Sequence, residues 1–69
     1  MKIFFQNLYE KIMIQFIPGN NQKYIVYFNH ESEEGYNGCP LYFESLTDAI
    51  NACKRLRPDA KYHHIEIGG

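Results

Sequence analysis

A chain of 69 residues has room for one domain, and one this short buries only about 60% of the surface its unfolded form exposes, so its core is small. Hydrophobic residues make up 45% of it and charged residues 22%, a balance that excludes an intrinsically disordered chain, which needs low hydrophobicity and high net charge. The formal net charge of −1 lowers the expectation of nucleic-acid binding, since affinity for that backbone rests on clustered cations.

The first residues, with Ile3, Phe4 and Phe5 after Lys2, have the beginnings of a signal peptide only. The apolar run stops at Gln6 and Asn7, and no small-residue cleavage site follows. No stretch approaches the roughly 18 apolar residues of a membrane span. A cytoplasmic location, in the protein's own cell or a host's, and no membrane partner are the expectations.

Phe4, Phe5, Leu8, Tyr9 and Ile12 fall at a rough i, i+4, i+8 spacing, which predicts a short N-terminal helix over residues 2–11. A strand over Lys2–Gln6 is the rival reading. Lys11–Ile17 is β-branched and aromatic and suits a strand. Pro18, Gly19, Asn20 and Asn21 supply dense turn chemistry, and residues 22–29 make the clearest strand, so the two strands form a hairpin. Residues 30–38 are polar and read as a loop carrying Glu31, Glu33 and Glu34. Residues 40–44 are a third short strand, with Pro40 at its start, where a missing donor is tolerated.

Ser45 and Asp48 then have the spacing of a capping box. Behind them Leu46, Ala49, Ile50, Cys53 and Leu56 share one helical face. Lys54, Arg55 and Arg57 occupy the last turn, where cations oppose the negative end of the helix dipole, and Pro58 forbids continuation. The helix is predicted over residues 46–57. Residues 61–67 close the chain as a strand. The expected fold is one α+β domain over residues 1–69: a three-stranded antiparallel meander, a crossover helix, and a C-terminal fourth strand at a sheet edge, parallel to the Lys11–Ile17 strand.

Alternation sorts the strand residues into two sets. Ile12, Ile14, Phe16, Tyr24, Val26, Phe28, Leu41, Phe43, Ile65 and Ile67 form one. Met13, Ile17, Ile25, Tyr27, Tyr42, Tyr62 and His64 form the other. One helix covers one face, so the second set is an apolar and aromatic surface that something else must cover. The occupants it admits are the N-terminal helix, a protein partner, or a second copy in a homodimer. A ligand cavity fits poorly in so short a chain.

Sites of chemistry are sparse. Cys39 and Cys53 are separated by 13 residues, with no CxxC spacing. Neither they nor His63 and His64, neighbours expected to point to opposite faces of a strand, match a zinc site. Cys53 reads as a small core residue. No motif pairs a nucleophile with a base. No catalytic residue, metal or cofactor is expected.

Residues 22–57 resemble, in pattern, the arm-binding domain of phage integrases and the plant ethylene-response DNA-binding domains. The pattern is a three-stranded sheet backed by a helix, carried here by the run from Lys23 to Phe28 and the run from Leu41 to Ile50. The resemblance implies that fold and a sheet that reads DNA with basic residues, of which these strands carry Lys23 alone. The function expected is therefore a small non-catalytic protein-interaction module. It would be an inhibitor or adaptor of the kind common in phages and mobile elements, docking through the Met13–Tyr62 face, a sheet edge or the acidic loop. The alternative is a nucleic-acid binder that uses Lys54, Arg55, Arg57 and Lys61.

Overall fold

In the computed structural model the described residues are 1–19, 21–28 and 40–68. Five strands and one helix follow in the order β1 (Lys2–Gln6), β2 (Lys11–Ile17), β3 (Lys23–Tyr27), β4 (Leu41–Phe43), α1 (Leu46–Leu56) and β5 (Lys61–Glu66). The fold is broadly α+β. All five strands join one antiparallel sheet in the order β4-β3-β2-β1-β5.

The predicted N-terminal helix is a strand. Ile3 faces Ile14 and Phe5 faces Ile12 across the β1–β2 pair, while Phe4 faces Met13. A strand flanked on both sides is apolar on both faces, and over five residues such a run has no period that separates it from a helix. The residue that decides is Asn7. Its side-chain oxygen accepts from the amides of Tyr9 (2.9 Å) and Glu10 (2.7 Å), and its own amide donates to the Glu10 carbonyl. The Asn side chain thus closes a tight turn where helix propagation would otherwise continue.

The meander is correspondingly wider than predicted, since β1 to β4 all pair in sequence. The C-terminal strand lies at an edge, as expected, and runs in the same direction as β2. Its neighbour is β1, inserted between them and antiparallel to both. Gly19, in the β2–β3 turn, has φ of +143°, a conformation that only glycine adopts readily.

The helix is where the sequence placed it, ending one residue earlier. The Ser45 hydroxyl accepts from the Asp48 amide at 3.1 Å, and the Arg57 amide closes the last turn onto the Cys53 carbonyl at 2.8 Å. Small residues line its inner face: Ala49, Ala52 and Cys53 are buried. α1 packs against β3 and β4. The core forms between Ile3, Ile12, Ile14 and Val26 on the sheet and Ala49 and Cys53 on the helix, flanked by Leu46, Ile50, Leu41 and Phe43. A five-residue cluster ties the β1–β2 turn to the far end of the helix. Arg57 Nε donates to Glu10 Oε1, the Asn7 amide donates to Asp59 Oδ1 at 3.3 Å, and the Arg57 guanidinium lies 4.9 Å from the Phe28 ring centroid.

Candidate interaction surface

The strand register assigns each apolar side chain to a face. Ile3, Ile14, Val26 and Leu41 lie in one cross-strand row under the helix. Between them the rows Phe4–Met13–Tyr27 and Gln15–Ile25–Tyr42 point the other way. Met13, Ile17, Ile25, Tyr27 and Tyr42 therefore share the face opposite α1, as predicted.

Tyr62 does not join them. The β1–β5 register shifts between Phe4 and Phe5, so that Phe4 faces His64 while Phe5 faces Tyr62. The bulge carries Tyr62 to the helix side, where its ring meets Phe5 edge-on at 6.3 Å. One extra residue reverses the facing of everything beyond it. Two more members of the predicted surface are unavailable for docking: Met13 is 1% exposed and Ile25 6%. Both sit in the interior strands, with Met13 between the aromatic side chains of Phe4 and Tyr27. Tyr27 is half-buried, while Ile17 and Tyr42 are exposed. The acidic loop of Glu31, Glu33 and Glu34 lies outside the described residues, as does Cys39.

The exposed apolar side chains concentrate elsewhere. On edge strand β5 and just after it, Tyr62 is 60% exposed, Ile65 40% and Ile67 83%. The helix lies over β3 and β4, so the helix-side face of β5 extends beyond its cover. Alternation groups Ile65 with Ile14 and Val26, and its pairing with Ile3 puts it on their face. What alternation does not carry is how far a single 11-residue helix reaches across five strands. Leu8 and Tyr9, which the helical reading placed on an amphipathic stripe, are instead almost fully exposed at the tip of the β1–β2 turn.

On the other face of β5 the bulge brings two neighbours together. The Nδ1 atoms of His63 and His64 are 2.6 Å apart, contrary to the opposite orientations expected of adjacent strand residues. His64 stacks on Phe4 at 4.4 Å, and its Nε2 lies 3.0 Å from Glu66 Oε2. Cys53 is buried under the helix on the opposite side of the sheet, so it does not meet the histidines. Among the described residues no group of three His, Cys, Asp or Glu side chains is placed to hold a metal. Burial pushes the Cys53 thiol up to about 11, which keeps it protonated and poorly nucleophilic.

The basic end of the helix is divided. Lys54, Arg55 and Lys61 are exposed, whereas Arg57 is held by Glu10, Phe28 and the Leu56 carbonyl. Among the described residues no helix is long and apolar enough to cross a membrane. No family model, curated protein or solved structure matches the chain.

Proposed function

We propose that this chain is a small non-catalytic protein-interaction module that works in the cytoplasm of its own cell or a host, as an inhibitor or adaptor of phage or mobile-element type. The observation that carries the reading is the row Tyr62, Ile65 and Ile67, exposed along an edge strand and its continuation. An edge strand presents unpaired backbone donors and acceptors, and an extended partner adds to such an edge while its side chains find pockets alongside. Tyrosine suits an interface, because its ring buries while its hydroxyl stays bonded or wet. The nucleic-acid reading is weaker by one cation, since Arg57 is engaged within the chain, and Lys54, Arg55 and Lys61 remain for it.

A photo-reactive residue placed at Tyr62 or Ile67, in cells that make the protein, tests the proposal. Discrete cross-linked species are expected from both positions and none from Thr47, exposed on α1. Absence of any species from Tyr62 and Ile67, or the same products from all three positions, contradicts it.

A further inference from the structure

The two edges of the sheet are unequal. β4 has three residues and follows Pro40, whereas β5 has six and contains no proline. Short length and proline blunt an edge. The long edge is the one that carries the exposed apolar row.

Backbone directions on β5 follow from one hydrogen bond. The Phe16 amide donates to the Met1 carbonyl at 3.0 Å, so Met1 and Phe16 form a hydrogen-bonded antiparallel pair. Hydrogen-bonded and non-bonded pairs alternate along such a ladder. Ile3 and Phe5 therefore turn their backbone groups toward β2, and Lys2, Phe4 and Gln6 turn theirs toward β5. Their partners Glu66, His64 and Lys61 point inward to β1. Tyr62 and Ile65 are left with backbone groups directed out of the sheet. Without the bulge, residues three apart would face opposite ways. With it, they face the same way.

Two copies related by a two-fold axis between their β5 strands then meet in a self-complementary register. Tyr62 of each copy lies opposite Ile65 of the other, both with outward backbone groups, and each pair exchanges two amide hydrogen bonds. The same register sets Lys61 of each copy opposite Glu66 of the other, in non-bonded pairs where side chains approach most closely. Opposite charges and aromatic–β-branched pairs both favour cross-strand pairing. Glu66 already holds His64, and a carboxylate accepts several bonds at once. We infer that the occupant of the β5 edge is a second copy of this chain, joined antiparallel through β5 into a continuous ten-stranded sheet. The inference rests on the interaction-module reading and names its partner.

Sedimentation equilibrium on the full chain, with circular dichroism of each variant, tests it by charge exchange. Wild type is expected to dimerise in the micromolar range. Lys61→Glu and Glu66→Lys, both on exposed side chains, each set like charges opposite one another twice in the dimer and should weaken it by about tenfold. The double variant Lys61→Glu/Glu66→Lys restores the pairs with reversed sign and should regain the wild-type affinity. A monomeric wild type overturns the inference, as does a dimer indifferent to the single changes or a double variant no tighter than either. Those results leave the interaction-module reading standing, since it fails only if Tyr62 and Ile67 cross-link to nothing distinctive.

Discussion

Cys53 is a buried thiol, only 2% exposed. Its ordinary value near 9.0 rises to about 11 because burial penalises the thiolate. Between those two values the unfolded chain has lost a proton that the folded chain keeps. Stability is then independent of this group below pH 9 and falls as pH rises toward 11, by about 2–3 kcal/mol in all. Denaturant midpoints of wild type and Cys53→Ala, compared at pH 8 and again above pH 10, isolate the effect from the tyrosines and lysines. Wild type should lose more than the variant, and equal losses would contradict the buried site. Arg57 is a second residue whose role lies inside the fold. Its side chain is 37% exposed, and that of Glu10 is 15% exposed. Solvent screening weakens the ion pair, but the cation–π contact with Phe28 adds to it. Arg57→Ala should cost about 1 kcal/mol, and a double-mutant cycle with Glu10→Ala should show coupling between the two.

Elements differed in how legible they were. The helix was written redundantly: a serine cap, an apolar stripe, cations in the last turn and a proline stop all agreed. Ser45→Ala should therefore cost about 1 kcal/mol through loss of the bond to the Asp48 amide. The first strand carried the opposite kind of signal. Ile3, Phe4 and Phe5 are apolar without interruption, because β1 lies inside the sheet, and such a run is compatible with a buried helix or a buried strand. Asn7 was the available cue, but an asparagine that caps a turn and one that sits on a helix surface look alike in sequence. Asn7→Ala removes the acceptor for two amides and should lower the denaturant midpoint by an amount equivalent to about 1–2 kcal/mol. A change within error would mean that the β1–β2 turn closes without its side chain. Met13, Ile17, Ile25, Tyr27 and Tyr42 share one side of the sheet, since alternation is a property of each strand, but burial of Met13 and Ile25 depends on neighbours that alternation does not describe. Tyr62 was lost to a bulge, which is set by pairing with β1 and leaves no mark in the local sequence.

At the scale of the whole molecule, the described residues place one helix on a five-stranded sheet, and its cover is uneven. The core lies where α1 reaches, and Ile14, fully buried at its centre, should cost about 2–5 kcal/mol on replacement by alanine. Where α1 does not reach, Tyr62 and Ile65 on the strand that ends the sheet, and Ile67 just after it, remain exposed. The central claim is that β5 pairs with β1 on one side and offers its other side for association. Amide hydrogen exchange, read residue by residue at two protein concentrations, tests this most directly. In dilute solution the His64 and Glu66 amides should be protected while those of Tyr62 and Ile65 exchange freely. On raising the concentration, protection should appear at Tyr62 and Ile65. If His64 exchanges as fast as Ile65, β5 does not pair with β1. If Tyr62 and Ile65 are protected equally at every dilution, the edge is already covered within a single chain, and the account is wrong.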